Sequence, residues 1–200
     1  LISVGVIYYS ALVPCIVASL FALEMANIFG IAPTHFDVVI EPISELMLLK
    51  VSALAIVCSL MSTVFCLSMH KTEHLFAKLI KNPYLRIAAG GALVVLITAI
   101  LGTGDYNGAG MDVIARAVEQ GQAAPWAWLL KILFTAITIG CGFKGGEVVP
   151  SFFVGATFGC VAAQALGLPA GFGAAIGLIA VFCGAVNCPI ASVLLSLELF

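Results

Sequence analysis

Gly140-Cys141-Gly142-Phe143-Lys144-Gly145-Gly146-Glu147-Val148-Val149-Pro150-Ser151 is the stretch on which the reading of this chain turns. One apolar run ends before it, and another begins at or just inside Pro150. Proline suits the first turn of a helix, because the N–H it lacks would be unbonded there anyway. The glycines Gly145 and Gly146 permit φ > 0 and close approach of the backbone. The pattern predicts a helix that ends, turns on glycine and restarts with unpaired N–H groups. A helix start carries roughly +0.5 elementary charge. Free N–H donors with that dipole form an anion site without a full positive charge. A tight helix–helix turn with packing glycines fits the same residues, so two readings stand at this point.

Glu147 interrupts a stretch that is apolar on its C-terminal side. Acidic groups in membrane segments are costly and are functional candidates by default. Beside free N–H groups it is either held as a carboxylate by the dipole or protonated by desolvation, which suits a proton pathway. Its structural alternative is a carboxylate capping the helix start. Lys144 either neutralises Glu147, draws anions inward or lies at the interface. Gly155 and Gly159 have the small-xxx-small spacing of close helix packing.

Outward from this stretch, composition sets the environment. Hydrophobic residues make up 62% and charged residues 9% of the 200 residues, and mean hydropathy is +1.20. A soluble domain carries about 25% charged residues. This much apolar surface calls for a bilayer, in which apolar runs of about 20 residues are read as spanning helices. The fold class is therefore all-α integral membrane. Helices are expected at about 6–29, 43–69, 85–101, 109–120, 126–141, 150–166, 171–183 and 189–200. The 109–120 helix is too short to cross and reads as re-entrant or interfacial. Segments after Trp126 are short and broken by Gly and Pro, which in transporters points to the binding site. Pro33, His35, Asp37, Glu41 and Pro42 make a polar connection. His70-Lys71-Thr72-Glu73-His74 opens another.

Lys71, Lys78, Lys81 and Arg86 are four of the eight basic residues. The positive-inside rule places their connection in the cytoplasm, and the Asp37/Glu41 and Asp105–Gln120 regions outside. The seven cysteines (Cys15, Cys58, Cys66, Cys141, Cys160, Cys183, Cys188) form no Cys-x-x-Cys pair and read as small buried hydrophobes. His70 and His74 share i,i+4 spacing but have no third ligand, so no metal is expected. No cofactor motif, Ser-His-Asp set, phosphate loop or zinc-protease motif appears, and no enzyme activity is expected. Nucleic acid is not an expected partner, since no basic stripe carries interleaved aromatics. Asn187 before Cys188-Pro189 fits an N-cap, and Glu198 in the last helix calls for a partner or an interface. The chain shows no secretory signal and reads as a fragment of a longer polypeptide.

Two motifs together resemble the CLC family of chloride channels and proton-coupled anion antiporters. One is Gly145-Gly146-Glu147-Val148-Val149-Pro150, followed by Gly155-Ala156 and Gly159. The other is Pro189-Ile190-Ala191-Ser192-Val193-Leu194-Leu195-Ser196-Leu197-Glu198. The resemblance implies a CLC-type multi-helix bundle with broken helices, of which this chain is the second inverted repeat only. It implies that the amides around Gly146, Glu147 and Val148 contact an inorganic anion, fluoride or chloride. It also implies a homodimer in a bacterial plasma membrane, with the first apolar helix and the helix from Pro189 as dimer-contact helices. Most members carry an apolar residue where Glu147 stands; glutamate there resembles the fluoride/proton antiporter branch. Val149 lacks the hydroxyl which that branch can carry. A passive chloride channel and a non-transporting membrane scaffold are the alternatives.

Overall fold

The structure, a computed structural model, describes residues 12–31, 34–38 and 44–200. The expected helix start at residue 6, the connection residues Pro33, Glu41 and Pro42, and the start of the second run at Ile43 lie outside the described residues. Among those described there are eight α-helices and no strand: α1 (Leu12–Ile28), α2 (Glu45–Leu79), α3 (Pro83–Leu101), α4 (Met111–Glu119), α5 (Ala127–Gly140), α6 (Val148–Leu166), α7 (Ala170–Val186) and α8 (Pro189–Leu199). The chain divides into two compact units. The first reaches His35 and carries α1; the second runs from Phe36 and carries the helices from α2 onward, up to Glu198.

Local chemistry sets the helix ends. The Ser44 side chain accepts from the Met47 N–H at 3.2 Å and starts α2, with Glu45 in its first turn and Lys78 in its last. Asn82 caps α3 by accepting from Tyr84 N–H at 3.0 Å, and Pro83 occupies the first helical position. Several ends differ from expectation: α3 starts at Pro83 rather than 85, α4 spans Met111–Glu119 rather than 109–120, and α7 runs to Val186 rather than 183, and three further differences have a plain local cause. Helix α2 does not stop at Met69 but continues ten residues, to Leu79, through the stretch expected as a connection. Nothing in His70–Leu79 breaks a helix, and polar helix formers continue one once it leaves hydrocarbon. Its 35 residues span about 52 Å, against a hydrocarbon core of about 30 Å. Helix α6 starts at Val148, not Pro150, so the proline sits at the third position. That is still within the turn whose N–H groups have no helical acceptor. Asn187 closes α7 in the left-handed conformation (φ 53°), and Cys188 takes the N-cap of α8. Asparagine tolerates αL better than most residues, which explains the exchange of roles.

The second unit is organised around α6 and α7, with α2 and α5 against them. Buried Met47, Leu54, Cys58, Met61, Phe65 and Met69 form one stripe of α2 and join Ile132, Ala136, Val154, Ala163 and Val181 in a continuous core. The Gly155/Gly159 spacing is a packing stripe. A Cβ on Gly155 would stand 2.8 Å from Leu178 Cα, and one on Gly159 would stand 2.8 Å from Gly177 Cα. The two backbones therefore approach as closely as only glycine permits. Lys50 Nζ donates to Gly167 O at 3.0 Å and ties α2 to the end of α6.

Other faces are apolar and uncovered. Leu49, Ile56 and Leu60 on α2, and Val95, Leu96 and Ile100 on α3, are exposed. Helices α2, α3 and α6 are long and apolar enough to cross a bilayer, and α1, α5, α7 and α8 are shorter apolar helices. This is the make-up of a multi-pass membrane protein. It also accounts for the cysteines. Cys58, Cys141 and Cys160 are buried, Cys66, Cys183 and Cys188 are half-buried, and Cys15 is exposed. The expectation that all seven are buried is corrected because a side chain facing lipid needs no protein cover.

Candidate functional site

Helix α5 ends at Gly140, which sits against Thr72 and Glu73 near the end of α2; a Cβ there would stand 2.9 Å from Thr72 Cγ2. The chain then turns. Cys141 N–H donates to Ile137 O (2.9 Å), Gly142 N–H to Ile139 O (2.9 Å) and Phe143 N–H to Thr138 O (3.3 Å). Gly142 takes the positive φ of this turn, 99°. Gly145 and Gly146, expected to need such freedom, do not have positive φ, and a Cβ at either would meet nothing within 4 Å. Their role in this chain is open space in front of the backbone.

Arg86 Nε donates to Cys141 O at 3.3 Å, and Phe143 lies over Gly91, so the turn rests on the first turns of α3. The basic cluster read as an orientation signal thus supplies one residue that closes the end of α5. A cation near the last carbonyls of a helix is favourable.

After Phe143 the backbone stops donating. None of the amides of residues 144–149 has a protein acceptor among the described residues; the next donor is Ser151 N–H, to Glu147 O at 3.0 Å. Glu147 occupies the N-cap with φ −93° and ψ −9°, and its side chain makes no capping bond. The capping alternative is therefore not the arrangement present. Lys144 and Glu147 are both exposed and form no ion pair with each other. The neutralising role considered for Lys144 is not the arrangement present either. Ser151 Oγ donates to Val148 O at 2.6 Å, so the nearest hydroxyl is turned to the backbone.

The helix start opens on a cleft of about 350 Å³ lined by Gly145, Gly146 and Pro150 on one side. Val94 of α3, Tyr106, Asn107 and Gly108, and Lys131, Thr135 and Thr138 of α5 form the other walls. The structure thus brings together the motif glycines, the proline and three elements distant in sequence. The sequence assigns neither Lys131 nor the 106–108 segment to the site. The signal for Lys131 was present: it is the lone charge in the apolar run 126–141, the same kind of interruption that singled out Glu147. Nothing local in Tyr106-Asn107-Gly108 marks it as a wall of the cleft. His70 Nδ1–H donates to Cys66 O at 3.1 Å within α2.

Comparisons with known proteins bear on the family and the fold. The family model described as voltage gated chloride channel matches residues 2–200. A chloride/fluoride channel protein of Pseudomonas syringae pv. tomato is 37% identical over 206 residues, covering 100% of this chain and 45% of that one. An uncharacterized protein of Methanocaldococcus jannaschii is 27% identical over 150 residues, 73% of this chain and 37% of its own. The crystal structure of a CLC-type fluoride/proton antiporter superposes with a TM-score of 0.89 at 27% identity, over 96% of this chain and 49% of that one. The chain thus spans about half the length of the relatives it matches. Family match, shared fold and the Gly-Gly-Glu-Val-Val-Pro helix start converge: this chain belongs to the voltage gated chloride channel family.

Proposed function

We propose that this chain is the second inverted half of a CLC-type membrane domain that carries fluoride out of the cell in exchange for protons. The observation that carries the proposal is the run of unpaired amides at residues 144–149, within which Gly145 and Gly146 line a cleft at the start of an apolar helix. Gly146, Glu147 and Val148 present their N–H groups to the anion, and Gly145, Gly146 and Pro150 shape the turn that frees them. Such donors replace part of the hydration shell, while their partial charges hold the ion weakly enough to let it leave. Glu147 takes and releases the proton. It stands at the start of the helix and is not locked into a cap. The working protein is a homodimer in a bacterial plasma membrane, with α1 and α8 as the dimer-contact helices; it is a transporter, not an enzyme.

The test uses the full-length protein in liposomes. Glu147→Gln should leave anion binding in place and abolish proton movement driven by an outward fluoride gradient. Unchanged proton flux in a folded Gln variant removes the role given to Glu147. The likeness to the chloride/fluoride channel protein of Pseudomonas favours a second reading, a passive channel for chloride or fluoride. An imposed pH gradient separates the two, since a channel drives no anion uphill. Absence of anion flux in any condition leaves a membrane scaffold.

A further inference from the structure

Lys131 lies in the middle of α5, an apolar helix of 14 residues, and is 1% exposed. Its Nζ donates to Gly108 O at 2.6 Å and to Tyr106 O at 3.2 Å. It also stands 4.8 Å from the centroid of the Phe153 ring on α6. No carboxylate pairs with it among the described residues. The nearby ion pair, Arg116–Asp105 at 3.4 Å, is half exposed and engages neither Lys131 nor its carbonyl partners. The chain thus holds a buried ammonium whose hydrogen bonds are satisfied by neutral groups and whose charge is uncompensated.

Carbonyls alone do not justify that charge. A neutral donor such as glutamine could hold the same loop, and an unpaired ion in a low-dielectric interior is costly. The same residue lines the cleft together with Gly145, Gly146 and Pro150 of the helix start. A buried cation in the wall of a cleft acts over several ångströms with less screening than one in water.

We propose that Lys131 is the positioning residue that sets anion affinity in this cleft. Its charge offsets the charge of the transported anion, and its two donors hold Tyr106–Gly108 in place as the opposite wall. The inference rests on the transport reading above and names the residue that balances the anion. It does not require Lys131 to touch the ion.

The experiment measures initial rates of fluoride and chloride efflux against anion concentration, with the full-length protein in liposomes. Lys131→Gln should raise the anion KM on the order of tenfold, with proton coupling retained. Lys131→Arg, which keeps the charge and two or more donors, should hold KM within about threefold of wild type. A folded Gln variant with wild-type KM overturns the inference, because loop-holding alone would then suffice. If the Gln variant does not fold, the Arg variant decides: wild-type KM supports the inference, and a tenfold rise refutes it. A wild-type protein that passes no anion overturns the transport reading, and this inference with it. Wild-type transport with an insensitive Gln variant overturns this inference alone.

Discussion

Gly155→Ala is the substitution whose effect the geometry determines most directly. A Cβ at this position would lie 2.8 Å from Leu178 Cα and 2.9 Å from Gly177 C, with Gly177 O closer still. Carbon atoms at ease stand about 3.5–4.0 Å apart, so α6 and α7 must separate by roughly 0.5–1 Å. The obstacle is backbone, which no rotamer change relieves. Overpacking of this kind costs about 1–3 kcal/mol, and a backbone clash belongs at the upper end. Alanine recovers about 1 kcal/mol through its helix propensity. The net loss is then about 2 kcal/mol, a roughly 30-fold shift toward unfolded protein. Thermal unfolding in detergent, followed by near-ultraviolet circular dichroism and size exclusion, reads the effect. Gly145→Ala, just ahead of α6, is the control, because nothing lies within 4 Å of its Cβ position. If Gly155→Ala melts with the wild type, the close α6–α7 approach does not limit packing, and the reading of the glycine stripe is wrong.

Other outcomes follow from the same geometry. Gly145→Ala and Gly146→Ala should fold normally yet slow anion flux several-fold, since each methyl group stands in the cleft; normal flux in liposomes would separate the motif from transport. Glu147→Gln should leave the melting temperature unchanged, because the carboxylate makes no capping bond; a clear drop in calorimetry would restore the cap. Burial, then the charge of Asp105, holds the Tyr106 phenol above its ordinary value against smaller opposing effects of Arg116 and Trp126. The folded state therefore keeps this proton longer than the unfolded chain. The associated stability is fully present below pH about 10 and declines as pH rises through the folded value. Alkaline melting curves should lose part of that decline in Tyr106→Phe, and identical curves would remove the assignment.

Much of this protein is legible along the chain. A 62% hydrophobic composition leaves only the bilayer as solvent, and the requirement to satisfy backbone groups in lipid then makes every apolar run a helix. The Gly-Gly-x-x-x-Pro spacing marks the broken helix because proline and the missing first-turn acceptors are local properties. Ends set by competition between neighbours are less legible. The second helix overran its expected stop because nothing in His70–Leu79 breaks it. Asn187 served the helix before it rather than the one after, a choice between two local roles.

The sequence alone determined where unpaired amides would arise and that Glu147 would stand among them, because both follow from residues a few positions apart. Only the tertiary structure decided what faces those amides. Lys131, Val94 and Tyr106–Gly108 reach the cleft from three separate elements. The structure also decided that Gly142, and not Gly145 or Gly146, takes the left-handed turn. The reason is physical: hydrogen-bond vacancy at a helix start is a property of the local chain, whereas the charge and shape opposite it depend on how distant helices pack.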